Sequence, residues 1–160
     1  MKFRLTKLRR TSRTAAVAVE FAFVAPILIS TVMGIVELTR AYDVQNELET
    51  AVREGARFAA MDREGMLQEG QTTNDKLIQD VKNYLGTMGI PAEDIGIQVL
   101  AAGSTSETFD LDDPANDLQL FQVAVSVPFS SISYLPVDEA HDYAMTASIT
   151  FRNGRATLSE

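Results

Sequence analysis

One long apolar stretch constrains this chain more than any other feature of its sequence. From Thr14 to Val36 it reads TAAVAVEFAFVAPILISTVMGIV, about 23 residues with a single charge, Glu20. A helix of that length, at 1.5 Å per residue, would be about 34 Å long and would cross a hydrocarbon core of about 30 Å. The stretch therefore predicts one membrane-spanning helix.

Charge is distributed unevenly on the two sides of this stretch. The first 13 residues carry six basic side chains and no acid, so a net charge of −8 for the whole chain leaves −14 for everything after Arg13. Basic residues next to a membrane span usually lie on its cytoplasmic side. The charge distribution therefore predicts a cytoplasmic N-terminus and an acidic extracytoplasmic domain. The acidic body also argues against nucleic acid as a partner, because the phosphates would repel it.

Three other interpretations of the apolar stretch compete with an anchor. A cleaved signal peptide has an apolar core of about 7–15 residues and a small-x-small site, and the best candidate here, residues 32–34, fits that site poorly. Arg9 and Arg10 suggest twin-arginine export, but residues 11–13 after them give no apolar support. A buried core helix of a soluble protein would leave the basic leader without a purpose. We therefore favour the anchor.

Glu20 needs an explanation of its own, because a carboxylate at the bilayer centre costs about 2.5–3.5 kcal/mol by insertion scales. It either lies shallow, near the cytoplasmic interface, or it meets a cation in the membrane. Cleavage between Ala15 and Ala16 would create an α-amino group four residues before Glu20, about 6 Å along the helix axis. The new amine of a neighbouring subunit would then pair with Glu20 in low dielectric and set the register of assembly.

The residues around Glu20 also resemble a known family. A basic leader, then residues 15–21 (Ala-Ala-Val-Ala-Val-Glu-Phe), Pro26 and residues 53–59 (Arg-Glu-Gly-Ala-Arg-Phe-Ala), is similar to TadE-like pseudopilins of tight-adherence (Tad/Flp, type IVc) pili. The resemblance covers about residues 14–60. One departure is Ala15, which stands where the prepilin pattern most often has glycine.

The resemblance implies a minor component of a pilus assembly machine, held in the inner membrane, with no cofactor and no enzymatic activity. It implies a prepilin peptidase as the enzyme that cuts between Ala15 and Ala16, and other pilins and pseudopilins of the Tad system as partners. It also implies that Glu20 and Phe21 act in assembly and register.

Two other function classes stay open beside this one. The first is an uncleaved, single-pass anchored periplasmic binding or scaffold protein, and the second is a membrane-tethered hydrolase that relies on carboxylates. The chain has no cysteine, and His141 is its one histidine, so thiolate sites, histidine-rich metal sites and a Ser-His-Asp centre have little material. The acidic run from Asp110 to Asp117 has Ala115 where a calcium-binding EF-hand needs glycine, which favours a solvated turn over a looser calcium or adhesion loop.

Helical periodicity continues past the apolar stretch to about Met61, with small or apolar residues at 3–4 spacing from Leu38 to Ala59. Among them Ala51, Gly55 and Ala59 form a small-xxx-small series, which lets another backbone approach closely. We expect that backbone to belong to the chain's own sheet, with a partner subunit as the alternative. The segments predicted so far are a basic leader (1–15), a transmembrane helix (16–37) and a helical stem (38–61).

The remaining residues, 62–160, are predicted to form an extracytoplasmic domain. Asn74 is placed to cap a second helix that runs to about Leu85 and ends at Gly86 or Gly89. Alternating apolar residues predict three strands, and the polar run between the first two predicts a long exposed loop. The strands are expected at 95–100, 118–129 and 143–151, and the loop at 104–117. The fold class is therefore α+β, a long N-terminal helix with a small C-terminal antiparallel sheet, as in pilins.

Overall fold

A computed structural model describes residues 9–61, 67–138 and 142–154, and within it the chain forms two helices and three strands. The chain divides into two compact units, Met1–Thr39 and Arg40–Glu160. The long helix α1 belongs to both units, and the second helix and the sheet belong to the second unit. This is the predicted α+β arrangement. The elements are α1 (Arg9–Ala59), α2 (Thr73–Thr87), β1 (Gly96–Ala101), β2 (Leu120–Pro128) and β3 (Ala144–Arg152), with 3-10 turns at Pro114–Asn116 and Phe129–Ser131.

The sheet is an antiparallel meander in the order β1-β2-β3. In the central strand the buried side chains alternate with half-buried ones, as a strand with one face on a core requires. Val123 pairs with Val99 on one side and with Ile149 on the other. The three predicted strands are confirmed within two residues at each end. Leu120, expected among the apolar residues of this strand, is 50% exposed and lies outside its buried row.

The helical residues of the second unit supply one wall of its core. Val44, Leu48, Val52 and Ala56 are almost fully buried and belong to one apolar cluster with α2 and the sheet. Their 3–4 spacing confirms the predicted stem face from Val44 onward. Leu38, expected on the same face, is instead 58% exposed.

The N-cap of helix α2 lies two residues before the predicted one. Thr72 is the N-cap, and its hydroxyl accepts a hydrogen bond from the backbone N–H of Asp75, whose carboxylate accepts from the N–H of Thr72. This capping box replaces the predicted cap at Asn74. The predicted glycine stop is confirmed at Gly89, which has φ +85° directly after the C-cap Met88.

The segment expected as an exposed loop, residues 104–117, is anchored in the core. Phe109 is 4% exposed and stacks on Phe121 with 5.7 Å between ring centroids, and Leu111 is fully buried. Asn74 holds this segment with both ends of its amide: it donates to the carbonyl of Phe109 (2.8 Å) and accepts from the N–H of Leu111 (3.1 Å). The prediction of a solvated loop is wrong here because two isolated apolar residues among acids show no periodicity.

Candidate membrane anchor and assembly helix

The apolar residues between Ala15 and Leu38 are exposed on every side of the helix, and only Ala25 and Met33 among them are half-buried. Neighbouring positions such as Ile27, Leu28 and Ile29 are 69%, 60% and 61% exposed, and successive helical residues point about 100° apart. A helix that is apolar all round is stable only when membrane or other protein covers it. In the part of the chain that the structure describes, the helix Thr14–Ala59 is the one long and apolar enough to cross a membrane.

Three hydroxyl groups of this unit donate hydrogen bonds to carbonyls of the helix itself. Ser30 donates to the carbonyl of Pro26 (2.8 Å), Thr31 to that of Ile27 (2.9 Å) and Thr39 to that of Ile35 (2.9 Å). A polar group in hydrocarbon has no water to bond, so bonds within the segment lower the cost of burying these side chains in lipid.

The predicted assembly residues all lie in this helical unit. Ala15, Ala16, Glu20 and Phe21 have exposed side chains on α1. Ala16 and Glu20 are separated by four residues, so they lie on the same face about one turn apart. The partner expected for Glu20 is an amine on another subunit, and that pairing stays a prediction.

The small-residue series packs inside the second unit. Ala51 and Ala59 are buried, and a Cβ added at Gly55 would lie 2.7 Å from Cγ2 of Val81 and 3.7 Å from Cγ of Leu77. The close approach at Gly55 is therefore to α2, which corrects the expectation that the sheet would lie there. Because α2 already occupies this place, the alternative of a partner subunit against Gly55 loses its basis.

Three carboxylates of the acidic run, those of Asp110, Asp112 and Asp113, accept hydrogen bonds from the chain's own backbone. Asp112 accepts hydrogen bonds from the N–H (2.7 Å) and the hydroxyl (2.6 Å) of Thr73. Thr73 is the first residue of α2, so the negative charge of Asp112 also interacts favourably with the positive end of the helix dipole. Asp113 accepts from the N–H of Ala115 (2.9 Å) and caps the short 3-10 turn. Within residues 9–61, 67–138 and 142–154, no cluster of three or more His, Asp or Glu is placed to hold a metal ion. His141 lies outside these residues.

A further carboxylate, Asp142, closes the connection between β2 and β3. It accepts from the N–H (2.9 Å) and the hydroxyl (2.6 Å) of Ser130. These two hydrogen bonds lower the pKa of Asp142 below its ordinary value of 3.8, and the bond from the Ser130 hydroxyl contributes more than the bond from its N–H. Ser130 lies twelve residues before Asp142, and no pattern in the sequence indicates that the two side chains meet.

Residues 15–57 match the family model described as TadE-like protein. The match contains Glu20, the exposed apolar residues and most of the buried stem face, and it confirms the resemblance found in the sequence. No curated protein and no solved structure matches the chain.

Proposed function

We propose that this chain, TadE-like over residues 15–57, is a minor pseudopilin of a tight-adherence pilus, anchored in the bacterial inner membrane and recruited through its N-terminal helix. The observation that carries the proposal is the exposed stretch 14–36, which is apolar on all sides, has one carboxylate, Glu20, and overlaps the matched segment. A helix of this kind supports membrane anchoring, and the family supports association with a pilus. The proposal assigns the chain an assembly role and no catalysis.

The proposed topology follows from charge. The basic residues 1–13 stay in the cytoplasm, residues 16–37 cross the membrane, and the acidic second unit lies outside.

The proposed recruitment depends on Glu20. A prepilin peptidase removes residues 1–15, and the new α-amino group of Ala16 in a neighbouring pilin or pseudopilin pairs with Glu20. A buried charge without its partner is costly, on the order of 3–5 kcal/mol when one member of a pair is removed. Subunits out of register would carry that cost, so the pair selects one axial offset. Phe21 is 68% exposed beside Glu20 and would contact the same neighbour.

The test is a pair of substitutions in a bacterium that makes the pilus. Glu20→Gln removes the charge within the span, and Glu49→Gln makes the same change on an exposed position of the stem. We expect both variants to accumulate in the membrane like the parent chain. Glu20→Gln should lose or strongly reduce pilus assembly, whereas Glu49→Gln should leave it intact. Normal piliation in Glu20→Gln contradicts the proposed recruitment.

Intact mass of the protein extracted from those membranes tests the processing step. Loss of residues 1–15 supports a processed pseudopilin. A chain that keeps its first 15 residues in every membrane fraction contradicts processing, and it favours the anchored periplasmic binding or scaffold protein.

A further inference from the structure

Two contacts show that β3 and the helical residues of the second unit run in the same direction. The side-chain amide of Gln45 donates to the carbonyl of Thr146 (3.1 Å), and Gly154 lies so close to the carbonyl oxygen of Ala60 that a Cβ added at this glycine would clash with it. The contacts are separated by 15 helical positions and 8 strand positions, roughly 22 Å and 26 Å at 1.5 and 3.3 Å per residue. Arg40, the first residue of the second unit, therefore lies at the same end of this unit as the start of β3 and the last residue of β2.

This end of the unit carries three exposed aromatic and apolar side chains and one half-buried ring, here together called the aromatic end: the exposed Tyr134, Leu135 and Tyr143, and the half-buried Phe129. Tyr134 is 67% exposed, Tyr143 54% and Leu135 44%. The Tyr143 ring stacks on Phe129 with 4.9 Å between centroids and 11° between planes. Tyr42, on the helix near Arg40, is also exposed, at 64%.

The aromatic end is held in place by hydrogen bonds. The N–H of Phe129 donates to the carbonyl of Tyr143 (2.9 Å), which extends the pairing of β2 with β3 by one residue. The two bonds from Ser130 to Asp142 close the next turn of the connection. Phe129 is half-buried against the core, so the ring of Tyr143 that stacks on it is held in place, and a surface held in this way loses little entropy when it binds.

We propose that the aromatic end rests on the outer surface of the membrane, with Tyr134 and Leu135 in the lipid headgroup layer. This inference rests on the membrane anchoring in the proposed function. Arg40 lies four residues after Val36, where the apolar stretch ends, so Arg40 stays within about 14 Å of that stretch even if the chain between them is fully extended.

The chemistry of the side chains fits that position. Tyrosine has an apolar ring and a polar hydroxyl, and it is enriched at membrane–water interfaces for this reason. Asp138 and Asp142 lie on the same connection, and anionic headgroups would repel their charges. We therefore expect the aromatic end to bind zwitterionic lipid through its apolar and aromatic groups, with no gain in binding from anionic lipid.

A single tryptophan tests this directly, because the chain has none of its own. Tyr134→Trp places the fluorophore at the aromatic end. Leu120→Trp places it at the opposite end of the sheet, on a side chain that is 50% exposed and pairs with Arg152. The full chain is reconstituted in phosphatidylcholine vesicles, with and without lipids brominated near the top of the acyl chain, and the vesicles are floated to show that the chain is inserted.

We expect brominated lipid to quench most of the emission of the Tyr134→Trp chain and to leave that of the Leu120→Trp chain unchanged. Addition of phosphatidylglycerol should not increase the quenching. Floating vesicles in which neither variant is quenched, or both are quenched equally, overturn the inference while anchoring stands. A blue-shifted Tyr134→Trp emission that lipid bromine does not reach also overturns it and points to a protein partner. A chain that does not float contradicts the anchoring itself, and with it this inference.

Discussion

Two parts of the same helix meet different surroundings. In residues 14–39 the large apolar side chains are at least 40% exposed, on all sides of α1, with the exception of the half-buried Met33. In residues 40–59 the apolar side chains form one stripe, in which Val44, Leu48 and Val52 are almost completely buried. Secondary structure is the same in both parts, so the difference lies in the sequence pattern. The first pattern needs an apolar solvent, and the second is amphipathic and needs a folded domain in water.

Polar side chains show the same contrast. In the first unit Ser30, Thr31 and Thr39 bond carbonyls four residues earlier on the same helix. In the second unit Asn74 bonds backbone groups 35 and 37 residues away. Local bonds make a helix independent of its neighbours, whereas distant bonds hold a tertiary structure together. Each part of the molecule can therefore be tested by the same kind of substitution, with opposite expectations.

The largest difference is expected for a leucine in each part. Leu48→Ala removes a fully buried side chain and should lower the free energy of unfolding of the domain by about 2–5 kcal/mol. Leu28→Ala makes the same change at a position that is 60% exposed and should leave domain stability unchanged. Urea unfolding of the full chain in mild detergent measures both. Equal losses of stability would mean that the two parts of α1 are not distinct.

A smaller difference is expected for the polar groups. Asn74→Ala leaves the carbonyl of Phe109 and the N–H of Leu111 without their side-chain partner, and each such group costs about 1–3 kcal/mol when it stays buried. Thr31→Ala removes one bond within the exposed part of the helix and should not change domain unfolding. The same urea titration compares the two variants. An unchanged midpoint for Asn74→Ala would show that the two hydrogen bonds of the Asn74 side chain do not hold the segment that contains Phe109 and Leu111 in place.

Two helical glycines give a third, smaller contrast. Gly55→Ala gains about 1 kcal/mol of helix propensity but pushes a methyl group against Val81 at a cost of about 1–3 kcal/mol, so we expect a net loss of about 0–2 kcal/mol. Gly34→Ala meets nothing within 4 Å and should not change the stability of the domain. A clear rise in the thermal midpoint of Gly55→Ala would contradict the close contact with α2.

The smallest effect is expected from pH. The pKa of Asp142 is lowered in the folded protein, so its contribution to stability is complete above the unfolded value of 3.8 and is lost as the pH falls through the lower, folded value. Asp142→Asn should therefore weaken the loss of stability below pH 3.8 and change little near neutrality. The urea midpoint of both chains, measured from neutral pH into this acid range, checks the sign. A parallel decline in both chains would show that Asp142 makes no such contribution.

The elements that could be predicted from the sequence are those in which apolar residues recur at a regular spacing. Apolar residues alternate in the strands and recur every three or four residues in the stem, so both kinds of element were located within a few residues. The start of α2 was missed because Asn74 is as good a capping residue as Thr72, and only the bond from Asp75 decides between them. The burial of Phe109 and Leu111 was missed because it depends on Asn74 and Asn153, which lie far away in the sequence.

In the candidate site, too, features of a single segment could be predicted from the sequence, whereas features that depend on a neighbouring element or chain could not. An apolar stretch long enough for a membrane is a property of one segment, so it could be predicted from composition and length. The element that packs against Gly55 could not be predicted, because a series of small residues predicts that another backbone approaches closely but does not identify that backbone. The proposed partner of Glu20 lies on another chain, and for that reason only experiments on the assembled system reach it.

Cysteine labelling in native membranes tests most directly whether lipid covers the exposed part of α1. The chain has no cysteine, and Ser30 and Ser148 are both exposed in the folded protein, one on the apolar helix and one on β3. With a water-soluble maleimide we predict that Ser148→Cys reacts in membranes, whereas Ser30→Cys reacts only after a denaturing detergent is added. If both cysteines react at the same rate in intact membranes, residues 16–37 are in water and the membrane anchor is contradicted.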